Sequence, residues 1–180
     1  MKQLPFLQDY DGQTVDEIIA LRGRYRDDSL VGAIERALLE RESWNDLDSE
    51  RRERAVLSLT EAERVVMAIE AMEREVNNGG YAQFFVNSSK HFAPYIVRAL
   101  QTIGCTEYAA LAASAIAELR LPSEFDGEDC DKAYMALMDE IDPKLEDLGS
   151  SYYETAEPLC ENLLSYIEQH ASGIRIPRVS

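Results

Sequence analysis

The sequence predicts an all-α protein, a single-domain bundle of about seven to nine helices. Three observations carry that expectation. Apolar residues recur at spacings of three and four along most of the chain, no stretch alternates apolar and polar residues as a strand does, and the β-branched residues fall inside helical patterns. A chain of 180 residues, 46% of them hydrophobic, fills one domain and buries a core without staples. Residues 1–58 read as an N-terminal helical extension packing on a core helical domain at 59–172, with 173–180 as a loose tail.

In chain order, residues 1–13 form an irregular lead-in, and Thr14 caps a short helix through Val15, Ile18, Ile19 and Leu21. Gly23 and the arginines at 22, 24 and 26 close it. Asp28 or Ser29 is expected to cap a second helix whose Leu30, Ile34, Ala37, Leu38 and Trp44 point inward. Residues 45–54 are densely charged and read as a solvated connection or helical turn. Thr60 and Glu63 form a capping box at the head of a long helix carrying Val65, Val66, Ile69, Met72, Glu73 and Val76 on one stripe. Asn77, Asn78, Gly79 and Gly80 stop it, because glycine takes a left-handed conformation freely.

A short aromatic helix follows, with Tyr81, Phe84 and Phe85 on one face and the amides Gln83 and Asn87 on the other, the pair expected to lock the junction as a buried polar network. Ser88 or Ser89 breaks it. A helix at about 92–103 accepts Pro94 in its first turn and ends at Gly104. Thr106 is expected to cap an alanine-rich helix at 107–119, whose small side chains permit close crossing and place it in the middle of the bundle. Pro122, Ser123 and Asp126-Gly127 mark a turn. Beyond it Cys130, Tyr134, Leu137, Met138, Ile141, Leu145 and Leu148 share one stripe, opposite Glu128, Asp139, Asp142 and Glu146, and Pro143 is expected to restart the helix with Asp142 as its cap. In the last helix Leu159, Cys160, Leu163, Leu164 and Ile167 face inward, while Glu154, Glu157, Glu161 and Glu168 are expected along one outer face up to the stop at Gly173.

Charge is the strongest global feature: 34 acidic against 18 basic residues, a formal net charge of −16. Residues 1–60 hold 13 acids and 9 bases, 61–120 hold 7 and 5, and 121–180 hold 14 and 4. Such a field repels nucleic acid and attracts cationic surfaces. No enzyme is expected, since His91 and His170 have no motif partner, and Cys105, although at the head of a helix, has no paired base. Cys105, Cys130 and Cys160 are too scattered for a disulfide framework or zinc site, and the acidic run at 126–131 puts its glycine and Leu137 where a calcium loop needs other residues. No cofactor, metal or membrane partner is expected. The N-terminus lacks a signal-peptide pattern, which makes the cytoplasm the expected location.

Residues 75–88, Glu-Val-Asn-Asn-Gly-Gly-Tyr-Ala-Gln-Phe-Phe-Val-Asn-Ser, resemble the signature of a bacterial family of DNA-mimic proteins. The resemblance continues through Ala-Leu-x-x-Ile-Gly at 99–104 and covers about residues 59–167. It implies an all-helical, dimeric protein whose acidic surface imitates duplex DNA and occupies the DNA-binding face of a basic protein such as a helix-turn-helix regulator, without binding nucleic acid itself. Asn78, Gly79, Gly80, Tyr81, Gln83, Phe84 and Asn87 then serve as structural signature residues. The phosphate-mimicking carboxylates are expected to be Glu128, Asp131, Asp139, Asp142, Glu146, Glu154, Glu157, Glu161 and Glu168, spaced about 4.5 to 6 Å per step where they follow a helix face. Two other readings stand beside this one. One is a protein-interaction or immunity-type module with no mimicry, and the other is a small-molecule binder or enzyme whose pocket is lined by Tyr81, Gln83 and Asn87.

Overall fold

Thr60 accepts a hydrogen bond from the Glu63 amide, and the Glu63 carboxylate accepts from the Thr60 amide, so the capping box starts helix α4 (Glu61–Val86) where the sequence places it. Four of the other helices pack directly on α4. A computed structural model describes residues 4–7 and 12–177, and among these it contains eight α-helices and no β-strand. Before α4 come α1 (Val15–Ile19), α2 (Asp27–Arg41) and α3 (Ser49–Ser58). After it come α5 (Ala93–Thr102), α6 (Thr106–Glu118), α7 (Gly127–Glu154) and α8 (Leu159–Gln169), with 3-10 turns at Trp44–Asp46, Ser88–Phe92 and Ala171–Gly173. The all-α single bundle is therefore observed. Among the described residues no helix is long and apolar enough to cross a membrane.

The core follows most of the predicted stripes, but Met138, expected to face inward on α7, is exposed, and Tyr134, Leu137, Leu148 and Cys160 are half-buried at its margin. Val65, Val66, Ile69, Met72 and Val76 of α4 are buried together with Leu30, Ile34 and Leu38 of α2, Leu163, Leu164 and Ile167 of α8, and the aromatics Tyr81, Phe84 and Phe85. α4 packs on α5 and α7, while α2 lies against both α4 and α8. Trp44 is buried and stacks on Phe92 with ring centroids 5.1 Å apart.

Several local expectations are corrected. α2 begins at Asp27 with Arg26 as its cap, not at Asp28 or Ser29. The Ser29 hydroxyl instead donates to the Arg26 carbonyl and accepts from the Leu7 amide, tying Leu7 to α2, while residues 1–3 and 8–11 of the expected lead-in lie outside the described part. Residues 45–54, read as a solvated connection or helical turn, divide between a 3-10 turn at Trp44–Asp46 and the ten-residue helix α3, which starts where the Asp48 carboxylate accepts from the Arg51 amide and caps it. The alanine-rich α6 lies at the edge of the bundle. It buries Tyr108, Ala109, Ala112 and Ala115 on one side and leaves Ala110, Ala113 and Ala117 exposed. Pro143 does not restart a helix: α7 runs unbroken for 28 residues, and Asp142 accepts from the Tyr134 hydroxyl at 2.8 Å without capping. The missing proline N–H falls on an exposed turn, and burial of Ile141 and Leu145 holds the helix on either side of it. The tail is not loose as far as it is described, since Ile174 is buried and the Arg175 amide donates to Glu63 at 2.8 Å. Residues 178–180 lie outside the described part.

One acid on α4 is poorly accommodated. Burial, followed by the nearby charges of Glu35 and Glu73, pushes the Glu70 carboxyl up to about 8, against the opposing pull of Arg74. Folding therefore takes up a proton at Glu70, and this contribution to stability is lost as pH rises from about 4.5 through 8. Thermal melts are expected to show a midpoint that drops on the order of 5 °C between pH 5 and pH 8. Glu70→Gln should flatten that drop, and an unchanged slope in the variant would refute the assignment.

Candidate interaction surface

The signature stretch sits on α4. The helix loses helical geometry at Gly79 and Gly80 before resuming to Val86, and Gly80 takes φ of 74°, a value open to glycine without penalty. At Gly79 a Cβ would lie 2.0 Å from Gln83 Oε1, so the kink brings the two into close approach. The turn folds Gln83 and Asn87 back onto buried Glu75. Gln83 Nε2 and Asn87 Nδ2 donate to Glu75 Oε2 at 2.7 and 2.8 Å, and Ser89 Oγ donates to Oε1 at 2.7 Å. Burial pushes the Glu75 carboxyl up, and the hydrogen bonds from Ser89, Asn87 and Gln83, helped by Arg74, more than offset it, leaving its pKa below the ordinary value. The amide pair is thus a structural lock, and its hub is Glu75, a residue the sequence reading left without a role. The available signal was a carboxylate within the signature itself. Tyr81 and Phe84 are buried; Asn78 is exposed.

The nine candidate carboxylates do not form one surface. Glu128 accepts from Ser49 and pairs with Lys90 at 3.0 Å, and Asp131 pairs with the same ammonium at 3.0 Å. The Ser49 and Lys90 hydrogen bonds hold the Glu128 carboxyl below its usual value. Glu157 lies between α7 and α8 and caps a different helix. Its Oε2 accepts from the Glu107 and Tyr108 amides at 3.0 Å each, supplying the α6 cap that the sequence assigned to Thr106. Glu154 ends α7, so Glu154, Glu157, Glu161 and Glu168 do not share one helix face as expected. Glu168 pairs with Arg22 at 3.5 Å.

Four of the nine, Asp139, Glu146, Glu154 and Glu161, are exposed, and no hydrogen bond or ion pair engages their side chains among the described residues. Asp139, Glu146 and Glu154 belong to α7, and the structure adds Asp147, which is exposed on the same helix. At 100° per residue these four fall within about 100 degrees of one another and span roughly 22 Å along the axis. Lys132 is the one cation of α7 whose phase falls in this arc. The outer face of α7 is therefore a strip of unpaired negative charge, while Glu161 stands apart on α8, which packs against α2.

Two other polar constellations were not predicted. His91, which has no motif partner in the sequence, is buried, with Nδ1 2.9 Å from Glu53 Oε2 and Nε2 3.1 Å from Ser49 Oγ. Hydroxyl, imidazole and carboxylate in that order resemble a nucleophile with its base. Ser49, however, gives its one proton to Glu128. The cluster works as a clamp joining α3, the turn at Ser88–Phe92 and the head of α7, where a Cβ on Gly127 would lie 2.8 Å from His91 Nδ1. Cys105 is buried beside Asn162, and burial raises its thiol pKa, the opposite of what a nucleophile needs. At the α4 kink a cleft is lined by Tyr81 but not by Gln83 or Asn87, whose amides are occupied by Glu75.

Comparison with known proteins returns no match among curated proteins or solved structures. A family model described as DMP19-like protein matches residues 57–170, a span that holds the Glu75 lock, the α4 kink and the whole acidic face of α7. That match covers more than half of the chain, and the chain belongs to the DMP19-like protein family.

Proposed function

We propose that this protein is an acidic DNA mimic acting in the cytoplasm, which covers the DNA-binding face of a basic protein such as a helix-turn-helix regulator with the outer face of α7. It is assigned no reaction and no cofactor. The observation that carries this reading is the strip Asp139, Glu146, Asp147 and Glu154, exposed and unpaired on one helix of a family member. Magnitudes shape it further. Duplex DNA presents roughly 13 charges over the 22 Å that these four carboxylates span. One copy therefore supplies fewer charges than the roughly 6–10 phosphates that a typical regulator contacts, and a homodimer, with eight, falls within that range.

The test replaces all four carboxylates by lysine, at positions exposed enough to leave the core alone. Against a panel of helix-turn-helix regulators, the unmodified protein should displace DNA in a salt-sensitive manner. The Asp139→Lys, Glu146→Lys, Asp147→Lys, Glu154→Lys variant should bind on the order of 100-fold more weakly at low salt. Binding that tolerates bound DNA and high salt would exclude mimicry by charge.

A further inference from the structure

Where α4 breaks at Gly79 and Gly80, it leaves a cleft of about 480 Å³ against α7. Asn77, Asn78 and the glycine backbone form one wall. Asp142, Glu146 and Tyr153 of α7 belong to the other, and among the described residues no lysine, arginine or histidine lines the space. The first segment of α4 ends here and the second begins, so their opposed dipole ends offset each other and the charge of the cleft is set by Asp142 and Glu146.

Two features show that the space is built. Gly149 is buried in the C-terminal part of α7, yet a Cβ there would meet no atom of the described residues within 4 Å. Glycine inside a helix is less stable than alanine, and here no neighbour requires its absence of side chain, unlike Gly127 against His91. What the glycine preserves is the open volume. Tyr153 is 61% exposed, but its hydroxyl donates to the Val76 carbonyl at 3.0 Å, holding an aromatic ring at the cleft in a fixed orientation. Asp142 uses Oδ1 for Tyr134 and retains Oδ2, and Glu146 is unpaired among the described residues.

We propose that this cleft receives an arginine side chain of the basic partner, its guanidinium stacked on Tyr153 and its N–H fork directed at Asp142 and Glu146. The inference rests on the reading of α7 as the partner-binding helix and names the contact that gives it specificity beyond charge. An aromatic face beside two carboxylates favours a planar guanidinium over the compact, strongly hydrated ammonium of lysine.

A fluorescein-labelled hexa-arginine peptide, titrated by anisotropy at about 20 mM salt, provides the probe. Gly149→Leu fills the cleft without altering any charge, so it separates the cleft from the acidic strip. The expected result is at least about a fivefold loss of hexa-arginine affinity in Gly149→Leu and in Tyr153→Ala, near-normal binding in Tyr153→Phe, and weaker binding of hexa-lysine. Peptide-induced amide shifts should centre on Gly79, Gly80 and Gly149. Because Tyr153 is exposed, Tyr153→Ala and the amide shifts stay readable if Gly149→Leu folds poorly. Unchanged affinity in Tyr153→Ala and in folded Gly149→Leu overturns the cleft assignment, even when the four-lysine variant loses regulator binding and mimicry stands. Loss of peptide binding in both variants, with no competition between the protein and DNA for any regulator, leaves the cleft in place and removes mimicry.

Discussion

Replacing Glu75 by alanine is expected to cost about 3–5 kcal/mol of folding stability, measured by urea unfolding. The carboxylate accepts from Gln83, Asn87 and Ser89, so its removal leaves the buried Ser89, the half-buried Gln83 and the more exposed Asn87 without their partner. The loss is also topological, because these bonds fasten the segment after the kink to the segment before it, and that segment carries Tyr81, Phe84 and Phe85 into the core. Glu75→Gln retains one acceptor oxygen and should cost about half as much. A penalty below about 1 kcal/mol for Glu75→Ala would mean that the aromatics alone hold the junction.

The second large effect lies at Glu63, which is fully buried at the head of α4. Arg41 Nη1 donates to Oε1 at 2.6 Å, Arg175 Nη2 to Oε2 at 3.1 Å, and the Thr60 amide to Oε2 at 2.9 Å. Burial pushes this carboxyl up, but the bonds from Arg41, Arg175 and the two backbone amides outweigh it and bring its pKa to about 2. The folded chain therefore prefers the ionised form more strongly than the unfolded chain does. The resulting stability, about 3 kcal/mol, is fully present above pH 4.5 and is lost as pH falls through 2. Glu63→Ala should cost about 3 kcal/mol near neutrality, since it leaves the part-buried Arg41 and the exposed Arg175 without their shared carboxylate, and it should remove this part of the acid transition. An acid limb that is identical in the variant would show that other carboxylates govern it.

What was legible in the sequence was local. Thr14 with Glu17 and Thr60 with Glu63 announce helix starts because cap and partner lie three residues apart. The i, i+3, i+4 spacing of Tyr81, Phe84 and Phe85 announces burial in the same way. What was not legible depended on distance along the chain. Glu157 caps α6 from about 50 residues away, so in the sequence it looks like one more surface acid. Glu75 meets its donors only because two glycines turn the helix, and the pattern of a continuous helix hides that encounter. Pro143 was overread: proline breaks an isolated helix, but here it lies on the solvent side of a helix anchored at Ile141 and Leu145. The resemblance was legible because residues 75–88, which form the α4 junction, are contiguous in the chain and lie within the matched span, whereas the free carboxylates could be separated from the engaged ones only in three dimensions.

The ion cluster at Glu63 also bears on where modules begin and end. The family match spans residues 57–170 and contains Glu63, yet both arginines that neutralise it, Arg41 on α2 and Arg175 in the closing segment, lie outside that span. The shared region is therefore not a portable unit in this protein. Recombination that moved it without its flanks would carry a buried carboxylate into a setting with no counter-charge, so the flanks and the core are constrained to be inherited together.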